Sequence, residues 1–356
     1  MPKVTFNNKN ALFFPALKSA VEDYFKANNI RKTGNWKLYV KTAVLIPVAI
    51  ALYMAVLFIS MPVVLSVTLC ALLGFVLASI GFNVMHDACH GSYSTNSRVN
   101  DALGLSLNAL GGNAFIWKQK HNIIHHTYTN VDGLDDDIAK SPLMRQCSSQ
   151  KWVPMHRIQH IYVILIYAIS SFAWVFIMDF VKYLSRKVYT TPLQPMKLTD
   201  HMVFWGSKVL YIAFYIVLPI LLLGWQAWAI GFAVMHMVMG FTLAIVFQLA
   251  HVVEETEFEA VGEDARLIEN EWAIHQIKTT SNFAPGHKII SWLVGGLNYQ
   301  VEHHLFPRIS HVHYPALSKI VAAKCAEHNL TYNSIPTMQG AVVSHFRFMK
   351  ALGAKP

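Results

Sequence analysis

The sequence predicts an all-α integral membrane protein, with four transmembrane helices arranged as two hairpins and a cytosolic helical cap holding a dimetal site. Three observations predict it. Of 356 residues 54% are hydrophobic and 14% charged, which excludes an ordinary water-soluble domain. Two long stretches carry no acidic or basic residue. Finally, 18 histidines nearly match the 20 carboxylates, and many recur at helical spacing, which points to metal chemistry.

The elements follow in chain order. Residues 1–41 form a cytosolic arm, too basic and too long before the first apolar run to be a cleavable signal peptide. Within it Phe14, Leu17, Val21 and Phe25 predict an amphipathic helix. From Thr42 to Met85 there are 44 residues without Asp, Glu, Lys, Arg or His. As one helix that run would be about 66 Å long, twice a hydrocarbon core, so it reads as hairpin 42–85 turning at Ser60-Met61-Pro62. Residues 209–250 repeat the pattern, with a turn signal at Gly224-Trp225-Gln226 and a single His236.

Residues 86–208 and 251–356 then make the cap. A third apolar stretch, Ile161–Met178, has 18 residues, long enough to cross. A crossing there would put the polar segments before and after it on opposite faces and split the histidine clusters. It is therefore expected as a helix near 158–180 lying in the interface or buried in the cytoplasmic cap, with Lys182, Arg186 and Lys187 anchoring its end.

The 29 basic residues fall as 8 in 1–41, 12 in 86–208 and 9 in 251–356, and neither turn has one. By the positive-inside rule both termini and the cap face the cytoplasm, of a bacterial inner membrane or an endoplasmic reticulum. The net charge of +9 comes without any nucleic-acid motif, and anionic lipid headgroups account for it better. Cys70, Cys89, Cys147 and Cys325 show no CxxC spacing and are expected as reduced thiols.

Three histidine clusters carry the chemistry. His86 and His90 lie four apart just after the first hairpin, about 40° apart on a helix. In His121-Asn122-Ile123-Ile124-His125-His126 the pair His121 and His125 gains a neighbour pointing about 100° away. Three imidazoles so close are costly to pack unless solvated or bound to metal. Gln300, His303 and His304 share a helical face after the second hairpin, and His251 ends that hairpin at the depth of His86. His236 reads as a neutral imidazole bonded to a neighbouring helix, and His275 as a surface residue. His156, His160, His287, His311 and His313 read as isolated or solvent-side.

Seven cluster histidines with His251 make eight donors, and Gln300 is a possible ninth. One zinc takes four ligands or fewer, so two metal ions fit better. Imidazole alone does not choose among zinc, copper, iron and nickel. Asp87 and the acidic loop Asp132, Asp135, Asp136 and Asp137 are available to hold imidazole N–H groups, with Asp87, Asp132 and Asp136 as the candidates.

The motifs HDACH, HNIIHH and QVEHH, in this order and with two apolar hairpins among them, resemble the three histidine boxes of the membrane fatty acid desaturases. The resemblance covers residues 40–315, and Gln300 in place of a histidine resembles the front-end subgroup. It implies a diiron centre using O2, with His86, His90, His121, His125, His126, His303 and His304 as ligands, Gln300 at a box position and His251 as the additional histidine. It also implies insertion of a cis double bond into a fatty acyl chain on the carboxyl side of an existing one. The acyl carrier, whether CoA, acyl carrier protein or glycerolipid, stays open, and zinc can replace iron in recombinant material. No HPGG motif of a fused cytochrome b5 is present, so a separate donor such as ferredoxin or cytochrome b5 is expected.

Rival readings are a hydroxylase of the same box type, a metal transporter and a zinc-dependent lipid hydrolase. Transport wants more polar groups within the spans than His236 alone, and the hydrolase wants fewer donors.

Overall fold

The computed structural model describes residues 4–9, 11–138, 142–260 and 267–355. Helix α1 (Phe13–Ala27) buries Phe13, Leu17, Val21 and Phe25, spaced four apart, in a cluster with Leu317 and Val321. Phe13 rather than Phe14 begins this stripe. Phe14 instead packs on Trp272 and Phe306.

Helices α2 (Trp36–Phe58) and α3 (Val63–Cys89) form the first hairpin. Asn35 caps α2 by accepting the Lys37 N–H at 3.0 Å. Near its end α3 passes through a π turn, Gly81–Met85, immediately before His86. The second histidine cluster lies on α4 (residues 114–128), most of it in the π turn Gln119–His125. Helices α5 (Pro154–Ser185), α6 (Leu198–Leu223) and α7 (Trp225–His251) follow, with Gly224 reversing the chain at φ 81°.

Five helices among the described residues, α2, α3, α5, α6 and α7, are thus long and apolar enough to cross a membrane. The chain is a membrane protein. The stretch expected as a short interfacial helix is longer than its apolar core, because α5 runs for 32 residues. Its Ile161, Leu165 and Leu184 are exposed, while its other face lies on α7. A Cβ on Gly240 would stand 2.7 Å from the Ala168 carbonyl oxygen, so only glycine lets α5 and α7 approach this closely. Fully buried His236 fastens the contact, with Nδ1 2.9 Å from the Ser171 hydroxyl and Nε2 2.7 Å from the Tyr211 hydroxyl.

Two helices begin earlier than the charge-free runs because their lysines are buried with partners. Lys41 Nζ lies 2.9 Å from both Asn83 Oδ1 and His311 Nε2. Lys208 Nζ donates to Asp179 (3.0 Å), Val175 O (2.9 Å) and Gly111 O (2.6 Å).

The remainder includes α8 (Trp272–Thr279), α9 (Gln300–Leu305), α10 (Tyr314–Glu327) and α11 (Met338–Gly353). Short parallel pairings join distant segments of this cap: Val131–Asp132 with Glu259–Ala260, Thr5–Phe6 with Leu267–Ile268, and Asn282–Phe283 with Ser334–Ile335. The loop before α9 closes on α3 at Gly295 (φ 61°), where a Cβ would stand 2.4 Å from the Phe82 carbonyl oxygen. All four cysteines are free and buried.

Candidate metal centre

The three clusters meet where α3, α4, α7 and α9 converge. Ligand nitrogens of His86, His90, His121 and His303 all lie within 4.8 Å of one another, and so do those of His125, His251 and His304. His126 joins His303 and His304 in a third group of the same spacing, between the other two. The rings of His125 and His251, 126 residues apart in sequence, have centroids 4.8 Å apart.

His126 does not point away from its cluster, as regular α-helical geometry predicts. The π turn closes i to i+5, which aligns His126 with His121 and leaves their Nε2 atoms 3.3 Å apart.

The outward nitrogens explain why the inward ones are free. His125 Nδ1 lies 3.0 Å from Asp135 Oδ2, and His304 Nδ1 2.9 Å from Gln276 Oε1. His303 Nδ1 meets the Tyr314 hydroxyl at 3.1 Å, and His251 Nδ1 faces Thr279 O at 3.4 Å. Donating Nδ1–H to these acceptors leaves each Nε2 with a lone pair. Nε2 of His90, His125, His251, His303 and His304 is buried without a hydrogen-bond partner. Orphaned nitrogens are costly unless something binds them, and converging in groups of three and four they fit metal ions.

The electrostatics agree. Burial, reinforced by neighbouring imidazoles, holds His90, His121, His126, His303 and His304 well below the ordinary histidine range, so they are neutral and ready to ligate. Burial also opposes the charge on His125, but Asp135 outweighs it and raises that group.

The carboxylates singled out from sequence have other partners. Asp87 accepts from the Ser310 hydroxyl at 2.6 Å and lies 3.0 Å from His311 Nδ1. Asp132 accepts from Ser149 at 2.7 Å, and Asp136 pairs with Lys182 at 2.5 Å. Asp135 and Asp137 of the same acidic loop reach a cluster imidazole instead, lying 3.0 Å and 3.6 Å from His125 Nδ1. Gln276, Tyr314 and the Thr279 carbonyl carried no signal in spacing. Nor did Trp117, whose ring stacks on His121 at 4.3 Å.

His275 is buried rather than exposed, with Nε2 2.9 Å from Thr129 O. His156, His311 and His313 are likewise buried, because cap segments fold over them. Gln300 is buried beside His303, its Oε1 without a partner. Glu302, inside the third motif, turns away to Asn282 and Tyr332, and burial raises its carboxyl to about 7.

A cavity of about 270 Å³ opens from His86, His121 and His303 into the helices. Apolar side chains such as Phe82, Trp174 and Leu243 line most of it, and Lys120, Asp137 and Lys182 line the part beside the imidazoles.

The fatty acid desaturase family model matches residues 62–336. The chain belongs to the fatty acid desaturase family. This desaturase is 36% identical to the sn-1 linoleoyl-lipid 6-desaturase of Synechocystis sp., over 99% of this chain and 98% of that one. The enzyme of the same name from Arthrospira platensis is also 36% identical, over 99% of this chain and 96% of its own. An acyl-lipid (8-3)-desaturase of Physcomitrium patens is 32% identical over 97% of this chain and 72% of its own. The desaturase is thus an oxidoreductase that introduces double bonds into fatty acyl chains, and its histidine cluster is suited to metal.

Proposed function

We propose that this chain is an O2-dependent diiron front-end desaturase that inserts a cis double bond into the acyl chain of a membrane lipid, on the carboxyl side of an existing double bond. The observation that carries it is the pair of histidine groups, one of four and one of three, with His126 between them, opening on an apolar cavity. His86, His90, His121 and His303 would hold one iron, and His125, His251 and His304 the other, with His126 able to serve either and Gln300 at the edge. Bound iron would supply the activation of O2 needed to oxidise an unactivated methylene.

The protein's own residues do the rest. Asp135, Gln276 and Tyr314 fix ring orientation and tautomer, so the inward nitrogens need no rearrangement to bind metal. The apolar walls hold a hydrocarbon chain that offers no polar handle, and shape must select the carbons presented to the centre. The names of the relatives favour an acyl-lipid substrate.

Four crossings fit this reading better than five. His125 and His251 belong to one centre, so an even number of the intervening helices crosses. Both ends of α5 are tied to cap segments, Gln159 to Met349 O at 2.8 Å and Lys182 to Asp136 at 2.5 Å. Helices α2, α3, α6 and α7 then span, α5 lies at the interface, and the basic cap with both termini faces the cytoplasm. The exposed Arg308, near His90, suits docking of an acidic electron carrier such as a ferredoxin or a cytochrome b5.

The test is the fatty acid profile of cells expressing this chain and fed linoleate, beside His304→Ala. A product two mass units lighter, absent from the variant, with fragments placing the new bond on the carboxyl side, is expected. An oxygenated product would support the hydroxylase reading instead.

A further inference from the structure

The cavity beside the metal centre has a direction. On α3 its lining runs from Gly81 to His86, on α7 from Leu243 to Gln248, and on α5 from Ser170 to Lys182. On α3 and α5 the wall is apolar or uncharged at the first residue and reaches an imidazole or a charge at the last, and on α7 it ends at the amide of Gln248. Along α5 the twelve residues from Ser170 to Lys182 correspond to a length of about 18 Å. The cavity is therefore a mostly apolar slot whose charged lining residues, Lys120, Asp137, Asp179 and Lys182, lie toward the end where the histidines are.

The charged end is built from Lys120, Lys182, Asp136 and Asp137, with Asp179 about one turn back along α5 and itself paired with Lys208. Lys120 Nζ lies 2.5 Å from Asp137 and 3.5 Å from Asp136, and Lys182 Nζ lies 2.5 Å from Asp136. Lys182 is nine-tenths buried, and Asp136 is its one carboxylate partner at ion-pair distance among the described residues, which leaves ammonium hydrogens for another acceptor. The charges of Lys120, Lys182, Asp136 and Asp137 cancel, and that of Asp179 is met by Lys208, so the cluster offers hydrogen-bond donors without the net positive field that a phosphate-rich carrier requires. A neutral ester carbonyl matches it.

We propose that Lys182, held by Asp136 and assisted by Lys120, binds the ester carbonyl of the acyl chain and thereby sets the position of the new double bond. This inference rests on the front-end acyl-lipid reading and supplies its ruler. Lys120 immediately precedes His121, so their Cα atoms are about 3.8 Å apart. A carbonyl fixed beside them leaves the first several carbons next to the imidazoles and sends the methyl end toward Ser170. Register is counted from the carboxyl end because the charged groups that line the slot are there, whereas the Ser170 hydroxyl at the other end is bonded to the Tyr167 and Gly240 carbonyls. Lys182 is a positioning residue, since it would touch substrate but not the reacting carbons.

The test feeds linoleate and its twenty-carbon homologue to cells expressing the full chain or its Lys182→Met and Lys182→Arg variants, and locates the new double bonds by mass spectrometry. Wild type is expected to keep one distance from the carboxyl group in both substrates. Lys182→Met should spread the product over neighbouring positions and lower its yield several-fold, and Lys182→Arg should restore a single position. A Lys182→Met product confined to the wild-type position overturns the anchor and leaves the front-end reading standing. A wild-type bond placed on the methyl side of the existing one overturns both.

Ser170→Phe, at the far end, keeps the test decisive if Lys182→Met does not accumulate. With a carbonyl anchor it favours shorter chains at an unchanged distance from the carboxyl group. A shift in that distance would mean registration from the methyl end and would overturn the proposal.

Discussion

Asp135 Oδ2 lies 3.0 Å from His125 Nδ1 and, at the same distance, accepts the backbone N–H of Asn130. Its other oxygen accepts the Asp137 N–H at 3.0 Å, so the carboxylate is locked by the backbone of its own loop before it orients the imidazole. Asp135→Asn can turn an N–H toward His125 and favour the wrong tautomer. We expect a loss of roughly 10- to 100-fold in metal affinity or turnover. Metal content of purified protein checks this, with Asp132→Asn, whose carboxylate is bonded to Ser149 at 2.7 Å, expected to retain near-normal occupancy.

Acid should destabilise the cap. His345 is buried between the Tyr167 hydroxyl (3.0 Å) and Val252 O (2.7 Å), and burial pushes it down to about 4 despite the carbonyl. A histidine that holds its proton less tightly when folded stabilises fully above about pH 6.5 and loses that contribution as pH falls toward 4. For a shift of this size the loss is about 3 kcal/mol per group. Thermal unfolding in detergent between pH 7.5 and 5 should show it, with a shallower pH slope in His345→Gln, which starts less stable. His275, also pushed down to about 4 by burial, adds a decline of the same sign.

The pair Lys208–Asp179 joins α6 to α5 at 3.0 Å with both side chains buried. Lys208→Met leaves the carboxylate without its cation and should cost roughly 3–5 kcal/mol. Lys208→Met combined with Asp179→Leu should recover most of that loss. Unfolding midpoints of the two variants decide it, and equal destabilisation would show that the ion pair is not the source.

The histidines were legible because spacing at i and i+4 survives almost any local geometry, and His251 because it ends an apolar run. The direction of His126 was not, since nothing in HNIIHH announces a π turn. The early starts of helices α2 and α6, before the charge-free runs, were not legible at Lys41 and Lys208 because their partners lie far away in sequence, at His311 and Asp179 respectively among others. The acidic loop was recognisable as a group, but only its folded shape selects Asp135 over Asp132 and Asp136. His275 and His311 looked exposed because the sequence does not tell which segments will cover them.

Asn130 hands its side-chain amide to the carbonyls of His251 (2.8 Å), Glu257 (3.2 Å) and Thr279 (3.3 Å), three points reached only after the last long apolar helix. Both groups of imidazoles likewise wait for residues 303 and 304 of 356. During synthesis neither site is complete until the chain is nearly finished. Metal loading at the proposed centre would consequently be a late event in the birth of the protein, and a nascent chain arrested before α9 carries its first two clusters unclosed.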